Sequence, residues 1–268
     1  MLHRPYHNLI PEAYEERPYY NRLIKGVREE FKFSLGARHP NPANKFLIFA
    51  QGRSGSTLLT STLDSHPEIC CDDEILIVPR LFPRRFIENA ARQNNSRAYG
   101  FHVKITQLHA WQGIHDIAAF LKDMESSGWR IIYLWRKNIL RQVVSNIFAE
   151  AAGTYHMEGK HRRPKSISLP LERLGRELDV RTRLLEAEQV AVKDRNVFEI
   201  NYERDLQSSE NQKETFSALQ KFIGVTNVPL SPRLQKMVVS PLSDLVENYD
   251  QVSDWIAAQP RYSGLLDL

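Results

Sequence analysis

Residues 46–60 read FLIFAQGRSGSTLLT: a short apolar run, a turn carrying two glycines, and the start of an apolar-faced segment. A short apolar run bounded by a glycine turn suits a buried parallel strand. In the segment that follows, Leu58, Leu59 and Leu63 fall on one helical face, Ser54 or Ser56 stands where a cap belongs, and Pro67 stops the helix. A strand, a glycine turn and a helix are the minimum for capturing an anion. Glycine lets the backbone approach a ligand, and the free amides and positive dipole end of the helix then converge on one spot. Arg53 adds a fixed charge, and Ser54, Ser56 and Thr57 add hydroxyls. A nucleoside-triphosphate loop would carry lysine between the second glycine and the hydroxyl residue; here that place holds Ser56. A plain capped helix is the alternative reading of GRSGST.

Around this unit, residues 99–105 (YGFHVKI), 129–135 (WRIIYLW) and 196–203 (NVFEINYE) read as further strands. Residues 108–128, 137–153, 168–194 and 210–225 are amphipathic, with Gly153 and Gly224 as helix stops. Residues 241–262 predict a short helix, a turn and a second helix. Alternating strands and helices favour an α/β fold with a mainly parallel sheet. Residues 1–43 are polar and proline-bearing, and predict an appended arm with helix around Tyr20–Phe33. Residues 44–268 predict a single domain, with no internal repeat.

The chain has 268 residues, 42% of them hydrophobic and 25% charged, enough for a sizeable core. No apolar run approaches the roughly 18–20 residues of a membrane helix, and the N-terminal residues lack the apolar stretch of a signal peptide, so a cytoplasmic protein is expected. Cys70 and Cys71 are the only cysteines; adjacent cysteines rarely bridge, and no metal-ligand spacing appears. The net charge of +4 is too mild for a nucleic-acid binder and fits a local anionic ligand better. The densest basic stretch is residues 156–165, with Lys160, Arg162, Arg163 and Lys165; a solvated loop explains it equally well.

Gly52–Leu59, followed by Ser65-His66-Pro67 and by Glu74, resembles the 5′-phosphosulfate loop of sulfotransferases that use 3′-phosphoadenosine 5′-phosphosulfate, in the form seen in bacterial and carbohydrate-type members. Residues 131–145, IIYLWRKNILRQVVS, are similar to that family's 3′-phosphate motif, a strand ending in Arg and a helix bearing Ser, here Arg136 and Ser145. The pairing makes physical sense, because a phosphate suits a fork-shaped cation beside a helix-borne hydroxyl. Many members space the two residues one position closer, which leaves Lys137 as the alternative to Arg136. Weaker likeness runs through residues 100–108, 200–206 and 241–250.

The resemblance implies a single-domain, P-loop-like, three-layer α/β fold. It also implies sulfuryl transfer to a hydroxyl or amine of a small acceptor, such as a carbohydrate or natural product, with adenosine 3′,5′-bisphosphate as product and no metal. Homo-oligomerisation is left open. Gly52, Arg53, Ser54, Gly55, Ser56, Thr57 and Leu58 would hold the 5′ side of the nucleotide, and Arg136 and Ser145 the 3′ side. Arg53 and Lys104 would face the leaving group. Glu74, with the apolar run of residues 75–78 after it, is the expected general base; His102, Asp72 and Asp73 are alternatives. Tyr202 and Glu203 resemble a structural pair of the family, and Trp111 or Trp135 could stack on adenine. The RKG-type C-terminal loop of the cytosolic animal members is absent from the sequence, and residues 160–165 are the candidate substitute. A P-loop small-molecule kinase using ATP is the competing class.

Overall fold

The computed structural model describes residues 19–36, 39–151, 165–230 and 241–266. They group into two compact units, one built on residues up to Trp135 together with the stretch from Leu184, the other beginning at Arg136 and taken up again by the C-terminal part of the chain. Helix α6 (Leu171–Val192) runs through both.

The first unit is an α/β layer structure. Strands β1 (Asn44–Ala50), β2 (Ile69–Glu74), β3 (Ala98–Val103), β4 (Trp129–Trp135) and β5 (Val197–Asn201) form one sheet in the order β2-β3-β1-β4-β5, and every pairing is parallel. The apolar runs take the three central places because a strand covered on both faces needs apolar residues at successive positions. Phe46 to Ala50 are fully buried, as is β3 along its whole length. Alternate residues of the central strands (Phe46, Ile48, Ala50; Ile132, Leu134) pack with Leu59 and Leu63 of α2 (Ser56–Leu63) and Phe216, Leu219 and Ile223 of α7 (Ser209–Ile223). Helix α4 (Ile117–Ser126) packs against β4, and α1 (Tyr19–Gly36) meets α3 (Pro83–Ala91). Helix α7 ends where the sequence predicts, at Gly224 in the left-handed region.

From β1 the chain runs toward β2 at one edge, and from β4 toward β5 at the other. Neighbouring strands whose connections diverge open a crevice at their carboxyl ends, the usual ligand position in an open α/β sheet. The turn read from residues 51–55 follows β1 directly at that end.

Strand β2 is the element the sequence does not announce, since ICCDDE carries three consecutive acids. It forms because Ile69 and Cys71 alternate into the core while an edge position leaves the acids room. Its pairing with β3 slips between Asp72 and Glu74, so that Asp73 is an extra residue and Glu74 stands opposite His102. Lower on the strand, the Tyr99 hydroxyl donates to Asp72 at 2.7 Å. Burial holds the Asp72 carboxyl above the usual carboxylate range, the Tyr99 bond opposing it and Asp64 and Asp73 adding to it. In the window between its unfolded and folded titration the native chain binds the extra proton, so stability falls as pH rises. Asp72→Asn keeps an acceptor for Tyr99 without the charge. It is therefore expected to melt above wild type at pH 7, with the gap closing as pH is lowered into the carboxylate range. A variant that melts lower at every pH would contradict this.

The second unit is helical. Helix α5 (Ile139–Ala151), the first half of α6, α8 (Leu242–Leu245) and α9 (Tyr249–Ala257) bury Leu140, Val143, Leu174, Leu178, Val252 and Ile256 in a core of their own. Ile167 bridges Val246, and Asn248 clasps both backbone groups of Leu169. Arg136 and Ser145 belong to this unit; Arg136 is half-buried and Lys137 exposed. Gly153 and the basic residues Lys160, Arg162 and Arg163 lie outside the described residues.

Candidate active site

The turn after β1 is built by its own backbone. Arg53 (φ 65°) and Gly55 (φ 103°) both adopt left-handed conformations, with fully buried Ser54 between them. Such a φ is uncommon for arginine and marks a backbone whose shape is imposed by its surroundings. Ser54 supplies one restraint, its hydroxyl donating to the Gln51 carbonyl at 2.7 Å, and the Gln51 amide donates at 3.3 Å to buried Glu188. Ser54 therefore tightens the turn, contrary to the expectation that its hydroxyl faces a ligand. The cap of α2 is likewise neither Ser54 nor Ser56 but Gly55, which has no side chain to close the helix. The first-turn amides are thus left for an external acceptor. Ser56 is buried, Thr57 is exposed, and Leu58 leans on the core.

Gly55 is also required for space. A Cβ there would lie 2.6 Å from Cδ2 of Tyr202, whose ring backs the turn. Tyr202 opens a π-helical turn (Tyr202–Leu206) directly after β5, where Asn201 caps the Arg204 amide. Its part in shaping the turn is hidden in the sequence, because Tyr202 lies far along the chain from Gly55.

The ends of β2 and β3 deliver the charged groups. Lys104 follows β3, and its ammonium lies 2.6 Å from Oε1 of Glu74. It also sits over the turn, since a Cβ on Gly52 would be 3.5 Å from Lys104 Nζ. Gln107, buried at the start of a second π-helical turn (Gln107–Trp111), donates to Oε2 of Glu74 at 2.5 Å and accepts from the Lys104 amide at 3.0 Å. Both oxygens of Glu74 thus face donors, and the carboxylate is fixed by polar partners rather than by the apolar run after it. Gln107 escapes sequence reading because nothing in LHAW beside it signals a π-helical turn, yet such turns recur at functional sites.

His102 is fully buried. Nε2 lies 3.2 Å from the Ala50 carbonyl, which can only accept, so Nε2 carries a hydrogen. Nδ1 lies 3.4 Å from Asp73 and 3.8 Å from Glu74. Ligand atoms of Asp73, Glu74 and His102 fall within 4.8 Å of one another, and these are the described residues that could hold a metal ion. The Lys104 ammonium is the cation already at that carboxylate. Trp135 donates its indole hydrogen to Glu199, and His109 packs edge-on against His115.

No protein-family model matches the chain. It is similar to a sulfotransferase of known structure. That protein is mouse sulfotransferase SULT7A1, solved in complex with PAP; the identity is 16%, the TM-score 0.41, and the match covers 75% of this chain and 64% of that one. The chain therefore spans less than two thirds of that protein's length. Among the described residues no helix is long and apolar enough to cross a membrane.

Proposed function

We propose that the chain transfers the sulfuryl group of 3′-phosphoadenosine 5′-phosphosulfate to a hydroxyl or amine of a small acceptor, a carbohydrate or natural product. One observation carries this reading: the ends of β1, β3 and β2, adjacent in the sheet, bring together an anion-receiving turn, a lysine and a carboxylate, with Lys104 touching both of the other parts. The motif resemblance of Gly52–Leu59 supplies the identity of the anion.

In this reading the amides of Gly55, Ser56 and Thr57 receive the 5′-phosphate, with Leu58 closing the helix side. Arg53 and Lys104 face the oxygen that bridges phosphorus and sulfur, where negative charge grows as the bond breaks. The acceptor oxygen attacks sulfur in line, the sulfur–oxygen bond to the 5′-phosphate breaks with its electron pair going to phosphate, and the acceptor proton passes to Glu74. Adenosine 3′,5′-bisphosphate leaves. Arg136 and Ser145 are proposed for the 3′-phosphate on their motif alone. His102, buried and committed at both nitrogens, is proposed to position Asp73 and Glu74 rather than to take the proton, and Gln107 to orient Glu74.

The test is turnover. With the sulfated nucleotide and a panel of sugars and hydroxylated natural products, the chain is expected to release the bisphosphate together with a sulfated product, at the same rate with and without EDTA. Absence of transfer across the panel, or loss of transfer with chelator, would count against the proposal.

A further inference from the structure

Seven large hydrophobic side chains stand exposed among the described residues, and six of them lie on α1 or on the segment it packs against. Ile24, Phe31 and Leu35 lie on α1; Ile77, Leu81 and Phe82 lie on the segment beneath it, with exposures from 44% for Ile77 to 71% for Leu35. Scattered exposed apolar residues need no explanation, but a concentration of them marks an interaction surface.

The inner face of α1 is already accounted for. Glu30 accepts from the amides of Leu81 and Phe82, both at 2.9 Å. Arg80, itself buried, pairs with Glu29 at 2.9 Å and donates to the carbonyls of Gly26 and Ile75. These contacts pin the helix and the segment together, and they leave positions 24, 25, 28, 31, 32 and 35 outward at helical spacing. That stripe intersperses large apolar residues with Lys25, Arg28 and Lys32, and Lys25 faces Glu29 at 3.9 Å at its edge. Arg84 and Arg85, both exposed, come two and three residues after Phe82, with Arg84 pairing with Asp123 at 3.0 Å.

We infer that this face docks on an anionic lipid surface. Protruding apolar side chains flanked by lysine and arginine, whose stems lie along the apolar layer while their charges meet headgroups, are the chemistry of interfacial helices. A symmetric contact between two copies would set the basic stripe against itself, which disfavours self-association. The inference is independent of the reaction proposed above.

Flotation of the full chain with vesicles tests it, comparing phosphatidylcholine alone with phosphatidylcholine containing about 30% phosphatidylglycerol, a density of anionic lipid at which basic residues near the surface each add measurable attraction. Binding is expected to the anionic vesicles only, and to fade at about 0.5 M salt as charges are screened. Ile24→Gln/Phe31→Gln/Leu35→Gln and Lys25→Glu/Arg28→Glu/Lys32→Glu, all at exposed positions, are each expected to lower the bound fraction at least about tenfold at unchanged melting temperature. No flotation of wild type with either vesicle would overturn the inference. So would a wild-type dimer, seen by light scattering, that the glutamine variant converts to monomer without any vesicle binding.

Discussion

Glu74→Gln is expected to lower turnover by about 10²- to 10⁴-fold, the usual worth of a positioned proton acceptor, while affinity for adenosine 3′,5′-bisphosphate stays within a few-fold of wild type. The substitution is nearly isosteric, and its amide oxygen can still accept from one of the two donors, Lys104 or Gln107, while its amide nitrogen faces the other. The capacity to take a proton is removed, together with the charge that pairs with Lys104. The split between turnover and binding separates this outcome from collapse of the site, which would damage both. If Glu74→Gln turned over normally, Asp73, the exposed neighbour that the bulge in β2 places beside it, would become the candidate.

Gly55→Ala is expected to abolish measurable nucleotide binding and to cost on the order of 1–3 kcal/mol of stability, from a left-handed φ with a β-carbon and from a clash. The new carbon would meet the Tyr202 ring at 2.6 and 2.9 Å, and φ 103° is closed to alanine in any case. Adding Tyr202→Leu relieves the clash alone. The double variant should recover part of the stability in a denaturant titration and none of the binding, because the turn still cannot take its shape. Wild-type stability and affinity in Gly55→Ala would show that the backbone conformation is not what receives the ligand.

Much of the architecture is legible in residue order. Central strands covered on both faces need largely apolar runs, and residues 46–50, 99–103 and 129–135 supply them, interrupted by His102 and Arg130; the glycine turn after the first is equally plain. Strand β2 is not legible, because its acids mask a period-two burial of Ile69 and Cys71 that only an edge position tolerates. Helix α3 is absent from the sequence reading, although Pro83 at its start and Phe86, Ile87, Ala90 and Ala91, buried at helical spacing, mark it. At the site, Arg53, Gly55, Glu74 and Lys104 are visible as residue types. Their convergence depends on strands 2, 3 and 1 lying side by side, which no local pattern encodes. Gln107 and Tyr202 are hidden for the same reason, since each acts across the sheet on a residue distant in sequence.

In the proposed function the turn between β1 and α2, with Lys104 over it, receives a sulfated adenine nucleotide. Calorimetric titration of the whole chain with adenosine 3′,5′-bisphosphate in EDTA tests it most directly, with Mg-ATP titrated in parallel. Saturable one-site binding of the bisphosphate, retained in Glu74→Gln and absent in Gly55→Ala, with no heat from Mg-ATP, is the predicted result. Saturable binding of Mg-ATP with none of the bisphosphate would contradict it and turn the site toward phosphoryl chemistry.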